Sequence, residues 1–280
     1  MEDASPLLFC FGYGYTAAAL ASRLHAKGWR IAGTRREAHG PWLRFDRAHP
    51  QFPIDLLKSA SAILSSIPPD EAGDPVLDCY GKVIGESAAW RGYLSTTGVY
   101  GDAKGAWIDE TAPLLAHTAR GRMRIAAEQI WRDHGAHIFR LSGIYGPGRS
   151  QIEAVRNGQA RRLVKPGQVF SRIHVDDIAA ILSASIERPH PKRIYNVADD
   201  EPAPPQDVVS EAARLLNLPP PPEIPFEHAA ATLSPMALSF YADNKRVSNE
   251  RIKTELGVTL CYPTYREGLK ACLEASQATA

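Results

Sequence analysis

The residues best placed to do chemistry come early in the chain. Gly12-Tyr13-Gly14-Tyr15-Thr16-Ala17 follows the apolar run Pro6 to Phe11 and opens an alanine-rich segment. A glycine at position 12 lets the chain turn sharply. Gly14, without a Cβ, lets backbone come within hydrogen-bonding distance of a pyrophosphate held at a helix N-terminus. Ala17 takes the third small position, where the helix has to pack close to the sheet. Dinucleotide binding is the chemistry this spacing points to. About twenty residues on, where an acidic side chain would accept from the ribose 2′-hydroxyl of NAD, stand Thr34, Arg35 and Arg36 instead. Guanidinium donates two parallel bonds to a 2′-phosphate, so NADP is expected over NAD; two solvated loop arginines are the plainer alternative.

Thiol and metal chemistry are not expected. Cys10, Cys79, Cys261 and Cys272 are scattered without a Cys-x-x-Cys pair, which predicts reduced, buried thiols. His134 and His137 are a close pair, but they precede a strand rather than share a helix face, so a solvated loop is expected and no metal site.

The elements that must position these residues alternate. Ala17, Leu20, Ala21 and Leu24 follow the i, i+3, i+4, i+7 pattern of a half-buried helix, and Trp29 to Gly33 reads as a strand. Further strands are predicted at Trp42 to Phe45, ending at Asp46, then at Ala62 to Ile67, Gly92 to Thr97 and His137 to Leu141, with a helix over Gly121 to Asp133. This order predicts a parallel doubly wound α/β sheet with helices on both faces. Ligands in such sheets sit beyond the carboxyl ends of the strands, here at Gly12, Arg35, Ser66, Thr96 and Ser142. Past residue 200 prolines divide short helices such as Asp207 to Leu216 and Ser248 to Leu256. The expected organisation is a dinucleotide-binding domain over 1–200, with an excursion near 148–170, and a small irregular lobe over 201–280 joined through the stiff tetraproline Pro219 to Pro222.

Bulk properties exclude several classes. With 32 basic and 31 acidic residues the 280-residue chain is nearly neutral, so neither nucleic acid nor a membrane surface is an expected partner. No stretch approaches the roughly 18 to 20 apolar residues that span a bilayer. The acidic start Met1-Glu2-Asp3 does not resemble a signal peptide, so a cytoplasmic location is expected.

Five further segments, in order, carry a resemblance. Ser95 to Asp102, Arg140 to Gly148, Arg172-Ile173-His174-Val175-Asp176-Asp177, Ile194 to Val197 and Arg246 to Asn249, together with the glycine turn, resemble the extended short-chain dehydrogenase/reductase family. More narrowly the chain is similar to its NAD-dependent epimerase/dehydratase group, whose members mostly act on nucleotide sugars. The resemblance implies a Rossmann domain, a C-terminal substrate lobe and a possible homodimer formed through helices of the sheet domain. Its implied cofactor set is Gly12, Tyr13, Gly14, Tyr15, Thr16, Thr34, Arg35, Arg36, Asp46, Ser65, Ser66, Ile67 and Ser95.

In that family a Ser or Thr at the end of the fifth strand works with a Tyr-x-x-x-Lys pair on the next helix. Thr96 matches the first, but Arg120 stands at the tyrosine position and Arg124 at the lysine position. A guanidinium stays protonated at neutral pH and cannot relay a proton. Four residues apart on a helix, the two could hold an anion together; alternatively Arg124 pairs with Glu128 on a solvated face. Tyr100, Tyr145 and Tyr241 are the other candidates for the missing acid, and Tyr145 is carried forward beside Thr96. Arg149, Arg172, Tyr241, Lys245 and Arg246 are the candidate contacts to a small anionic substrate. His174 is expected to anchor backbone, and Asp176 and Asp177 to cap a helix. Two functions remain open: an NADP-dependent oxidoreductase, epimerase or dehydratase with an atypical site, or an NADP(H)-binding sensor without turnover.

Overall fold

A computed structural model describes residues 5–37, 40–50 and 52–278. Seven strands build the main sheet: β1 (Leu7–Phe11), β2 (Arg30–Arg35), β3 (Leu43–Arg44), β4 (Ala62–Ser65), β5 (Trp90–Thr96), β6 (His137–Leu141) and β7 (Ile194–Val197). Every pairing is parallel and the order is β7-β6-β5-β4-β1-β2-β3. The order reverses between β1 and β4. In a sheet of this kind that reversal is where ligands are taken, at the carboxyl edge beside the turn after Phe11.

Both faces of the sheet are covered, which is why β1 reads as an unbroken apolar run. Leu8 and Cys10 pack with α1 (Tyr15–His25) and with α4 (Val175–Glu187) on one face. Phe9 and Phe11 pack on the other with α2 (Pro75–Glu86) and with α3 (Ala119–Asp133), which contributes Ala127 and Trp131. A third core joins Tyr145, Ile152 and Val155 to Val208, Val209 and Ala212 of the helix Pro205–Leu215, and to Tyr265, Leu269 and Cys272 of the helix Tyr265–Ala278. Short parallel pairings organise this smaller, largely helical region: Arg172–His174 with Gly143–Tyr145 and Glu223–Pro225 with Arg162–Val164, while Arg246–Val247 with Trp107–Ile108 ties the C-terminal segment to the sheet domain. No helix among the described residues is long and apolar enough to cross a membrane.

Several local expectations are corrected. The tetraproline lies between the helix Pro205–Leu215 and the strand Glu223–Pro225, so it is internal to the C-terminal region rather than a connector to the sheet domain. His137 is not in a loop: it is a fully buried β6 residue whose ring stacks on Trp90 at 5.4 Å. All four cysteines are free, but Cys79 is half-buried and Cys261 exposed. Burial pushes the thiols of Cys10 and Cys272 up to about 12 and about 11, which leaves both as inert packing groups. No group of metal-ligating side chains occurs among the described residues.

Candidate functional site: a glycine turn beside an arginine-lined cleft

Gly12 adopts φ +80°, and a Cβ there would meet Ser66 Oγ at 2.7 Å, so only glycine fits. The turn is closed from both neighbouring strands. Ser66 Oγ donates to the carbonyls of Phe11 (3.2 Å) and Gly12 (2.5 Å), and Ile67 packs against the same turn. From β2, Thr34 accepts the Gly12 N–H on its hydroxyl (3.1 Å) and the Tyr13 N–H on its carbonyl (2.7 Å). Thr34 is thus fully buried under the turn and faces no 2′-phosphate, a correction to its expected placement. Ser65 is buried too, its hydroxyl without a partner among the described residues.

Gly14 is the opposite case: nothing lies within 4 Å of where its Cβ would be. It is the N-cap of α1, which has no side-chain cap and no acidic residue in its first turn. The first-turn N–H groups from Tyr15 onward therefore point out of a positive helix end, with open space in front of them. Such a helix end has the chemistry to accept an anion on backbone N–H groups.

The end of β2 is aromatic. Tyr13 stacks on Trp42 with ring centroids 3.5 Å apart, and the Arg35 guanidinium lies 5.6 Å and 5.7 Å from the two rings. Arg35 and Arg36 are exposed, and neither forms an ion pair among the described residues. Asp46 is occupied by its own turn: it accepts the Ala48 and His49 N–H groups at 2.9 Å, and its bond to the His49 ring holds the carboxyl below the usual range.

Beyond the carboxyl ends of β5 and β6 lies a cleft of about 1110 Å³ between the sheet domain and the C-terminal region. Thr96, Ser95, Arg120, Arg124, Tyr145, Arg149, Arg172, Tyr241 and Lys245 line it. Arg246 does not; its guanidinium donates to the Gly105 carbonyl behind the cleft wall. Thr96 Oγ1 accepts the Gly98 N–H at 3.1 Å, which leaves the hydroxyl proton free to be donated into the cleft.

The helix carrying the arginine pair departs from the solvated-face alternative. Glu128 is buried and does not meet Arg124. It takes the Arg140 guanidinium on both oxygens, at 2.7 Å for the shortest contact, and the Ser95 hydroxyl at 2.5 Å. Arg140 in turn donates to the Tyr100 hydroxyl (2.9 Å), which donates to Asn196 Oδ1 (2.7 Å). Tyr100 is therefore locked in a buried network and does not line the cleft. Arg124 instead donates to the Tyr93 hydroxyl (2.9 Å) and the Leu94 carbonyl (3.0 Å), on the strand that ends in Thr96. Arg120 reaches the cleft from an exposed position.

The remaining candidates divide by how much of each is already engaged. Tyr145 is buried, its hydroxyl 3.5 Å from the Thr264 carbonyl, and burial raises its pKa above that of a free phenol. Tyr241 packs against Phe170 at 5.3 Å and Phe226 at 4.7 Å. Lys245 is spent on the Gly101 carbonyl (2.7 Å) and Asp243 (3.0 Å). Arg149 lies over the Tyr15 ring at 5.9 Å, and Tyr15 donates to the Pro147 carbonyl at 2.9 Å; together they link the glycine turn to the cleft mouth. His174, not an aspartate, is the N-cap of α4, accepting the Asp176 N–H at 3.2 Å. Asp177 accepts the N–H groups of Cys261 and Tyr262 and so ties the C-terminal region down.

Sequence reasoning missed Trp42, Phe170 and Phe240. Trp42 carries no signal beyond its place at the start of the expected strand, and it stands just before β3. Phe240 belongs to a helix, Pro235–Ala242, in which no residue is buried, a property that appears only once the fold is known.

No family model matches the chain. A functionally unknown conserved protein from Silicibacter pomeroyi is 49% identical, with a TM-score of 0.87 over 98% of this chain and 100% of that one. A protein from Methylobacillus flagellatus, assigned as an NAD-dependent epimerase/dehydratase, is 27% identical, with a TM-score of 0.74 over 98% and 99% of the two chains. Protein YeeZ of Escherichia coli is 26% identical over 90% of this chain and 94% of its own length. At the level of fold alone, the human epimerase family protein SDR39U1 with NADPH (17% identical, TM-score 0.77) and a Bacillus anthracis dTDP-glucose 4,6-dehydratase with NAD (14%, 0.76) superpose over 96% and 98% of the chain. The chain belongs to the family of the Silicibacter pomeroyi protein, and it shares structural and weak sequence homology with the extended short-chain dehydrogenase/reductase superfamily.

Proposed function

We propose that the chain binds NADP(H) across the Gly12–Gly14 turn and catalyses hydride transfer to or from a small anionic substrate held in the adjoining cleft. The observation that carries this is Gly14: open space where a Cβ would stand, directly before an uncapped helix end. The first-turn N–H groups of α1 would hold the pyrophosphate, and Arg35 with Arg36 the 2′-phosphate. Arg35 already lies against Tyr13 and Trp42, so it brings charge to an aromatic shelf that suits a base. Ser66 and Ile67 bound the turn from β4, and Thr96 faces the cleft.

When bound, the nicotinamide supplies or accepts a hydride. Thr96 donates its free hydroxyl proton as a hydrogen bond to the substrate oxygen. Arg120 and Arg124, fixed cations on the same side, stabilise negative charge that develops there without transferring a proton. Water at the open cleft mouth supplies the proton that the usual tyrosine would have delivered. Tyr145, kept protonated by its burial, stays a hydrogen-bonding wall residue. The five cations among the lining residues outnumber the two carboxylates, Glu153 and Asp243, which supports an anionic ligand. A sensor without turnover is favoured by one observation, the engagement of Arg124 with Tyr93 and Leu94 in place of a proton relay; the size of the cleft beside Thr96 favours the enzyme.

Gly14→Val tests the binding half. With nothing near the new side chain and an ordinary φ of −107°, the fold should be untouched. NADPH affinity should fall by about 100-fold or more, because at least two charge-assisted backbone bonds are blocked. Unaltered NADPH affinity by titration calorimetry in a normally folded Gly14→Val protein would refute the site.

A further inference from the structure

We propose that Arg172 and the aromatic side chains around it form a subsite for a small aromatic carboxylate, so that the substrate is a monoanionic aryl acid rather than a nucleoside diphosphate sugar. This rests on the NADP(H)-dependent function above and names the substrate of the same cleft.

The Arg172 guanidinium is fixed before any ligand arrives. Its Nη1 donates to the carbonyls of Phe170 (2.8 Å) and Ala203 (3.1 Å), two residues joined to each other by paired backbone bonds of 3.0 and 3.1 Å. No protein acceptor meets its Nε or Nη2 among the described residues, and no carboxylate lies within ion-pair distance. One edge of the fork is therefore open in a wall of the cleft, in the geometry that matches a carboxylate. Such pre-organisation lowers the ordering cost of binding.

Aromatic residues share the cleft wall with that guanidinium. Phe170 lies 6.0 Å from the guanidinium, and Tyr145, Tyr241 and Tyr265 are near enough to act on its charge. Phe240 lines the same cleft from the helix Pro235–Ala242 although it is 60% exposed. A ring so placed offers an apolar, planar face on which a ligand ring can stack.

Charge at this end of the cleft sets the valence of the ligand. Lys245 is neutralised by Asp243, and Glu153 adds a carboxylate near Arg149. The open fork of Arg172 is matched by one negative charge, whereas a diphosphate brings at least two. The Asp199 N–H donates to the Arg172 carbonyl at 2.7 Å, and its carboxyl, near enough to act on the guanidinium, is pushed by burial towards the neutral form and so leaves the fork its charge.

The test is titration calorimetry on the full chain saturated with NADPH, with trans-cinnamate, cinnamamide and UDP as probes. Cinnamate should bind about ten-fold or more tightly than either of the others, since the amide lacks the charge and a diphosphate does not match the single open fork of Arg172. Phe240→Ser, at an exposed position that the fold does not need, should weaken cinnamate about three- to ten-fold and leave NADPH affinity alone. Arg172→Gln should abolish the preference of cinnamate over cinnamamide. Equal binding of acid and amide, UDP binding as tightly as cinnamate, or cinnamate affinity indifferent to Phe240→Ser each overturns the subsite while NADPH binding stands. Failure to bind NADPH at all overturns the function beneath it instead.

Discussion

Replacing Glu128 by glutamine puts the architecture behind Thr96 under direct strain. Glu128 has a side chain only 3% exposed, and the Arg140 side chain facing it is 2% exposed. The carboxylate accepts from Arg140 through Nε and Nη2 and from Ser95, the residue preceding Thr96. Glu128→Gln keeps the volume and one acceptor oxygen but removes the charge and sets an amide NH2, itself a donor, beside the buried Arg140 guanidinium, which keeps its bond to Tyr100. Removing one partner of a buried pair costs about 3 to 5 kcal/mol, because the surviving charge keeps its desolvation penalty without compensation. Removing both is different: Glu128→Leu with Arg140→Met should land within about 1 to 2 kcal/mol of the parent protein, or above it. Urea denaturation of the parent, of Glu128→Leu and Arg140→Met singly, and of the double variant gives the coupling energy, provided the slopes agree. A loss under about 1 kcal/mol in Glu128→Gln, with an unchanged slope, would show that the pair is solvated and that Ser95 and Thr96 are not braced through it.

Three further outcomes are expected. Arg35→Ala with Arg36→Ala should narrow the preference for NADPH over NADH by about 2 to 4 kcal/mol in paired titrations, and equal cofactor affinities in the parent protein would remove the preference altogether. Thr96→Val should leave NADPH affinity unchanged and lower turnover about 100- to 1,000-fold, while Thr96→Ser retains most of it; unaffected turnover in the valine variant would exclude Thr96 from the chemistry. Burial lowers the His137 pKa to about 4, its Nε2 accepting the His190 N–H at 2.8 Å. The unfolded ring titrates near about 6.5, so between these values the unfolded chain binds more protons; stability is complete above that upper value and falls by up to about 3 kcal/mol as pH drops towards 4. His137→Gln should flatten that loss in urea titrations at a series of pH values.

The glycine turn and the alternation of elements were legible because they follow from local chemistry. A turn at Gly12 needs a residue free at positive φ, β1 had to be apolar throughout because helices cover both faces, and α1 shows its buried stripe at Ala17, Leu20, Ala21 and Leu24. Tertiary partners were not legible. Spacing puts Glu128 one turn from Arg124, yet Arg140 arrives from β6 with a complete fork and displaces the local pair. Thr34 and Arg35 are adjacent, but strand alternation sends Thr34 under the turn and Arg35 outward, so only one of them can touch a ligand. Lys245 and Arg246 divide in the same way, one lining the cleft and the other behind it. The aromatic surroundings of Arg172 come from three segments far apart in the chain, which no spacing rule brings together.

A crystal structure of the protein grown with NADPH tests the central claim most directly. It should place the pyrophosphate against the first-turn N–H groups of α1 beside Gly14, the 2′-phosphate within reach of Arg35 or Arg36, and the nicotinamide at the cleft mouth facing Thr96. No bound dinucleotide at saturating NADPH, or a dinucleotide bound anywhere other than across the Gly12–Gly14 turn, would contradict it.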